Sequence, residues 1–166
     1  MTVFFTLDLL VRLVMSFLAT MGFAIMFKTP PRHLAFAGLS GVITYFVYIV
    51  VEVYTGQLFL AAFISTTAVA VLCEIYARIS KSPAIIVLSS SVIPTVPGGS
   101  LYYTAQHIMT GEFEEAMIHL GNTVSIGLGI ACGIVIVSLA SKGLTEFISE
   151  RRKKLTTSKT DVEDSK

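Results

Sequence analysis

Four apolar runs, each close to the length of a membrane crossing, limit this chain more than any other feature of its sequence. They extend from Val3 to Phe27, from Leu34 to about Val53, from about Leu58 to Ala77 and from about Gly121 to Val137. A helix needs about 20 mostly apolar residues to cross a hydrocarbon core of about 30 Å, and there every backbone N–H and C=O must be bonded within the protein. The expected fold class is therefore all-α and integral to a membrane. A hydrophobic share of 54 % against 14 % charged residues extends that reading to the chain as a whole. Asp8 and Arg12 interrupt the first run and no basic segment leads it, which argues against a cleaved signal peptide.

Between the third and last runs lies a different stretch, Pro83 to about Met109. It begins apolar, passes through Ser89, Ser90 and Ser91, breaks at Pro94 and Pro97, and restarts through Gly98, Gly99 and Ser100. Its length suffices for a crossing with an unwound middle. Five spans are thus predicted, at about 3–27, 34–53, 58–77, 83–109 and 121–137, the fourth discontinuous at a Pro-x-x-Pro-Gly-Gly break. Irregular backbone persists at membrane depth only where protein or a wet cavity surrounds it, so the break is the first place to expect a binding site.

Loop charges agree with five spans. Lys28 and Arg32 mark the first connection, Arg78 and Lys81 the third, and Lys142 with Arg151 to Lys154 the end of the chain. The second connection, around Glu52 to Gln57, and the fourth, with Glu112, Glu114 and Glu115, have neither Lys nor Arg. By the positive-inside rule the N-terminus lies outside and the C-terminus in the cytoplasm, in a cell (inner) membrane. Residues 1–142 form the membrane domain, and 143–166 a basic and then disordered cytoplasmic tail.

Other function classes find little support. A formal net charge of +1, with basic residues at the ends of apolar runs, carries no nucleic-acid signature. Cys73 and Cys132 fall in apolar segments as small hydrophobes. No spacing of Cys and His suggests a metal and no Gly-rich loop suggests a nucleotide, so no metal and no cofactor is expected. Ser89 to Ser91 have no His or Lys base at helical spacing, and catalytic residues are not expected.

Polar residues inside the spans form patterns. Asp8, Arg12, Ser16, Thr20 and Ala24 recur at every fourth position on one ridge, which marks a protein-facing side. Asp8 and Arg12 are either interfacial or take part in substrate attraction and coupling. Gly121, Ser125, Gly129 and Gly133 make a ladder suited to close helix packing, with Asn122 beside it able to face a cavity. Glu74 is either an interfacial partner of Arg78 or a coupling carboxylate. His107, after the restarted helix, can titrate near neutral pH. Glu52, near the outer end of the second span, is a weaker candidate than Glu74, His33 reads as interfacial, and His119 falls in the acidic outer loop.

A broken helix has two useful ends. The second half starts with unpaired N–H groups and the positive end of a dipole, suited to a carboxylate, and here those groups belong to Gly98, Gly99 and Ser100. Carbonyls near Ser91 to Ile93 would be freed to hold an ammonium, a cation or water. Ser90, Ser91, Pro94, Pro97, Tyr102, Tyr103, Gln106 and Asn122 complete the predicted substrate-binding set. The alternative is a purely architectural kink whose serines bond back to their own helix.

The segment Pro-x-x-x-x-Leu-Ser-Ser-Ser-x-Ile-Pro-x-Val-Pro-Gly-Gly from Pro83 to Gly99, the five-span length and the Gly/Asn/Ser-rich last span resemble the threonine/serine exporter (ThrE) family, specifically the small subunit of its split, two-component type. The resemblance covers the chain to about Lys142, and its motif falls on Ile93, Pro94, Val96, Pro97, Gly98 and Gly99. It implies a larger membrane subunit as partner and export of small hydrophilic metabolites, either amino acids of the threonine and serine type or dicarboxylic organic acids such as succinate. A rival from another class is a scaffold subunit that stabilises a transporting partner.

Overall fold

The computed structural model describes the backbone of residues 2–163 and the side chains of residues 7–143. Six helices follow one another: α1 (Thr2–Met26), α2 (Pro31–Thr55), α3 (Leu58–Ser80), α4 (Ile85–Ser91), α5 (Gly98–Thr110) and α6 (Phe113–Glu163). One 3-10 turn, Ile93–Thr95, sits between α4 and α5. No strand occurs among the described residues. Four helices are long and apolar enough to cross a membrane, or up to five crossings if the bent pair made by α4 with its 3-10 turn and α5 counts as one.

Short reversals connect the helices, and their backbone is specific. α2 ends at Gly56 with φ 65° and α5 at Gly111 with φ 81°, a left-handed conformation that costs glycine little. At the opposite end of the bundle the same conformation is held by lysines, Lys28 at φ 56° and Lys81 at φ 51°. The Thr29 N–H reaches back to the Ala24 carbonyl and the Lys28 N–H to that of Ile25, which closes α1 with a six-residue loop motif.

Packing places the helices in a row. α2 lies between α1 and α3, α6 lies on the other side of α3, and α5 folds back on α6. α4 and the 3-10 turn rest on α1 and α2, with α4 also touching α3. The interior is built mainly from small and medium residues, Ala24, Ala37, Val69, Ala70, Cys73, Val87, Leu88, Val92 and Val137, with Phe36 and Tyr76 among the larger side chains packed against them. Large apolar side chains such as Leu10, Met15, Leu39, Ile75 and Leu139 are instead exposed. Small side chains let helix backbones approach while Leu, Ile and Met face lipid, which is the arrangement a bilayer favours.

Glycines mark the closest approaches. A Cβ on Gly38 would come within 2.5 Å of the Phe17 ring, and one on Gly41 would overlap Thr20 Oγ1, so α1 and α2 meet where α2 has no side chain. α6 meets α3 the same way. A Cβ on Gly129 would come within 2.6 Å of the Phe59 carbonyl oxygen, and one on Gly133 within 3.1 Å of that of Phe63. Gly121, at the far end of the predicted ladder, has open space beside it.

Two boundaries differ from those expected. α6 begins at Phe113, so Glu114 and Glu115 form its first turn rather than a loop, where acidic side chains favour the positive end of the helix dipole. The same helix continues to Glu163, through the stretch read from composition as an irregular tail. Leu, Glu, Arg and Lys are good helix formers, and extending an existing helix avoids the cost of a nucleus. Asp164 to Lys166 lie outside the described residues, as do the side chains of the Arg151 to Lys154 cluster.

Candidate functional site

The broken stretch has the geometry of two half-helices meeting at an angle. α4 and its 3-10 turn are bent by 50° from α5. Pro94 offers no N–H to the Ser90 carbonyl, and the Thr95 N–H goes to Val92 O rather than to Ser91 O, at 3.0 Å. The Ile93 carbonyl accepts from Val96 N–H at 3.0 Å, and the Val96 carbonyl from Gly98 N–H at 2.7 Å. The 3-10 turn thus satisfies two of the carbonyls expected to be free, those of Val92 and Ile93. Ser91 is left without its helical N–H.

The first half is anchored by hydroxyls. Ser90 and Ser91, both fully buried, donate to the Val87 carbonyl at 2.9 and 2.8 Å, and Thr95 donates to Val92 O at 2.7 Å. Exposed Ser89 does the same to Ile85 O at 2.8 Å. Ser91 also shares a 2.5 Å hydrogen bond with Ser40 of α2, whose hydroxyl bonds the Ala37 carbonyl. Thr44 donates to Ser40 O, Ser16 to Gly41 O, and Thr20 to Ser16 O. Ser16, Thr20, Ser40, Thr44, Ser90, Ser91 and Thr95 are all buried, and together they form an uncharged polar seam where α1, α2 and the broken segment meet.

The seam lies near the middle of α1 and α2 along their length. Ser40 stands nine residues beyond the start of α2 and Ser16 ten before the end of α1, about 14 and 15 Å of helix rise from that end of the bundle. A hydrocarbon core is about 30 Å thick.

The second half opens differently. Gly98 and Gly99 are exposed, and a Cβ on either would meet nothing within 4 Å. Ser100 is half-buried, and α5 has no side-chain cap at its N-terminus. Pro94 and Pro97 are half-buried at the junction, Gln106 is exposed, and Asn122 is half-buried on α6. Tyr103 turns toward α6, where its ring stacks on His119 at 5.3 Å. His119 stacks in turn on His107 at 5.4 Å, and His107 Nδ1 lies 2.6 Å from Glu112 Oε2. Tyr103 and His107 therefore belong to a clasp between α5 and α6, away from the seam. The hydrogen bond to His107 holds the exposed Glu112 carboxyl below the usual carboxylate range.

The remaining coupling candidates are dispersed. Arg12 Nε donates to Asp8 Oδ2 at 2.9 Å, with both side chains exposed. Glu74 accepts from Ser141 Oγ of α6 at 2.7 Å, and no ion pair joins it to Arg78 among the described residues.

Sequence reasoning passed over several of these residues. Gly38 and Gly41 of α2 face α1 while Ser40 faces Ser91, and the small residues between Ala35 and Gly41 are the signal in the sequence that could have found them. His33, read as interfacial, is buried: its Nδ1 lies 2.9 Å from Tyr76 Oη, while Arg32 Nε and Ser82 Oγ approach its Nε2 at 3.0 and 3.1 Å. It ties the start of α2 to the loop that leads into the broken segment.

No curated protein and no solved structure matches the chain. A family model described as "Threonine/Serine exporter, ThrE" matches residues 12–140, which takes in the α1–α2 seam, the break and the α5–α6 clasp. With most of its length matched in this way, the chain is a multi-pass membrane protein that belongs to the threonine/serine exporter (ThrE) family.

Proposed function

We infer that this chain is the small membrane subunit of a two-component exporter for small amino acids or organic acids, working by alternating access beside a larger subunit of the same family. The observation that carries this reading is the break itself. α4 and the 3-10 turn are fastened to α1 and α2 near the middle of those helices, while α5 leaves at 50° with an uncapped, glycine-led N-terminus open to its surroundings. Half-helix N-termini near the midplane are the usual seats of anionic substrate groups in secondary transporters. The substrate carboxylate would bond the free N–H groups of Gly99 and Ser100, and that of Gly98 once its bond to Val96 O opens.

The charge pattern supports an N-terminus outside and a C-terminus in the cytoplasm. Lys28, Arg32, Arg78 and Lys81 belong to connections or helix ends on one side of the bundle, where Thr29 bonds Ile86 O and Ser82 meets His33, and Lys142 of α6 follows Ser141, which bonds Glu74 one turn before Arg78. α4 and α5 together then run from the cytoplasm outward as the fourth of five spans. No nucleotide motif is present in the sequence, so a proton gradient is the simplest driver, with Asp8, Glu74 and His107 as its carriers.

Efflux of a labelled amino acid from preloaded cells tests the site. Gly98→Val and Gly99→Val should abolish efflux and leave membrane insertion intact, because a Cβ at either position meets nothing within 4 Å in the chain. Full efflux by a well-expressed double variant would remove the break from the transport path.

One observation favours a second reading. Every serine of the Ser89 to Ser91 run bonds back to its own helix, as in an architectural kink. A scaffold subunit of that kind predicts that substitutions from Pro94 to Ser100 alter assembly with the partner and leave substrate preference unchanged.

A further inference from the structure

A recess of about 240 Å³ opens between α1 and α2, lined by Asp8, Arg12, Tyr45 and Glu52 with Leu9, Ile49 and Val53. It continues the ridge that anchors the break. Ser16 and Thr20 are buried in the hydroxyl seam, whereas one and two turns further along the same ridge Arg12 and Asp8 are open. Arg12 precedes Met26 by fourteen residues, and Tyr45 follows Pro31 by fourteen, so both stand about 21 Å of helix rise from the Lys28 end. Glu52 is seven residues beyond Tyr45, near the opposite boundary of a core of about 30 Å. The recess therefore leads from above the break to the outer surface. Charged groups at such depth face protein or water rather than lipid.

Its charges are arranged for a particular ligand. Arg12 commits its Nε to Asp8 and also bonds Tyr45, which leaves its remaining Nη donors to meet a carboxylate. A guanidinium binds carboxylates well in this way. Glu52, half-buried on α2, has no ion pair among the described residues. One cation and two carboxylates leave the recess with a formal excess of negative charge. An α-amino acid supplies both a carboxylate for Arg12 and an ammonium for Glu52. A dicarboxylate would set its second carboxylate against Glu52, and like charges at low dielectric repel strongly. The volume equals roughly the share of eight liquid waters, which is room for a small amino acid.

We propose that Asp8, Arg12, Tyr45 and Glu52 form an outer subsite that holds a zwitterionic amino acid on its way out and discriminates against dicarboxylates. This rests on the exporter reading above and names its substrate class. The test is release of radiolabelled L-serine, L-threonine and succinate from preloaded cells carrying the full chain at its natural locus, with membrane levels followed by immunoblot. Glu52→Gln should slow release of both amino acids about tenfold, the effect of losing one charge-assisted hydrogen bond, and leave succinate release unchanged or faster. Glu52→Asp should restore most of the rate, and Arg12→Gln should slow amino-acid release more than Arg12→Lys. Wild-type amino-acid release by Glu52→Gln, or an equal fall for succinate, overturns the subsite. Succinate as the only compound released by wild-type cells also overturns it and leaves the exporter reading standing. If deleting the chain changes release of none of the three, the exporter reading itself fails.

Discussion

Ser40 and Ser91, fifty-one positions apart, share a hydrogen bond that joins the middle of α2 to the last turn before the helix break. Each hydroxyl also lies within bonding distance of a carbonyl of its own helix, Ala37 O for Ser40 and Val87 O for Ser91, and with one proton per hydroxyl whichever serine donates across the contact gives up its carbonyl. The pair is therefore a cross-link between two elements whose hydroxyls would remain satisfied without it. Such an arrangement positions the break more than it stabilises the fold.

That distinction predicts a small energy. Ser40→Ala and Ser91→Ala should each lower unfolding stability by about 0.5–1 kcal/mol, and a double-mutant cycle should return a coupling of about the same size or less, in line with interhelical hydrogen bonds in bilayers. Unfolding titrations in mixed micelles measure this. A coupling of several kcal/mol would mean that the seam holds the helices together as well as in register.

Glycine substitutions should separate packing from open space. Gly129→Ala sets a methyl against the backbone oxygen of Phe59, which has no rotamer to yield, and should cost about 1–3 kcal/mol. Gly41→Ala meets the Thr20 side chain, including its Cβ at 2.7 Å, and should be partly rescued by Thr20→Ala. Gly121→Ala meets nothing and should stabilise α6 by about 0.5–1 kcal/mol through helix propensity alone. Thermal unfolding of the three variants in one detergent would rank them.

Acid should loosen the α5–α6 clasp. The folded Glu112 carboxyl titrates below its ordinary range because His107 bonds it, so its contribution is present above the unfolded carboxylate range, near pH 4.3, and is lost as pH falls through the lower folded value. Glu112→Gln should lower stability slightly at neutral pH, where the charged carboxylate makes that bond, and flatten the acid limb of the profile. Thermal melts from pH 3 to 7 would show whether the wild type and the variant converge at the acid end.

Much of this architecture could be taken from sequence because it follows from rules local to a segment. Hydropathy located the long helices, Pro94, Pro97 and Gly98 located the break, and the spacing of Ser16, Thr20 and Ala24 marked a ridge that is indeed buried. What escaped depends on which helices touch. Nothing in the neighbourhood of Ser40 says that it meets Ser91, and nothing around Glu74 says that its partner is Ser141 rather than Arg78. Tyr103 and His107 were read with the break because they follow it in sequence, yet helical rotation turns them toward His119. Two prolines in close succession suggest free carbonyls at Val92 and Ile93, and the 3-10 turn closes them.

Glu74 allows a functional prediction that its geometry makes sharper. Its carboxylate is held by a hydroxyl from α6, so Glu74→Gln preserves shape and a hydrogen bond while removing the charge. If Glu74 carries the coupling proton, the variant should retain exchange of labelled for unlabelled substrate and lose net efflux driven by a proton gradient. Equal loss of both modes would assign Glu74 to the α3–α6 contact alone.

The four left-handed residues at the helix ends carry a consequence for how such a chain is made. Glycine fills that conformation at Gly56 and Gly111, whereas on the other side lysines do so, Lys28 and Lys81, each at a backbone penalty of about 1 kcal/mol. A turn is judged only once the helices have assembled, but a positive charge is counted while the segment is still choosing which way to enter the bilayer. Replacing both lysines with glycine should therefore give a chain that is sturdier when folded and more often inserted upside down, a case in which biogenesis has outranked conformation.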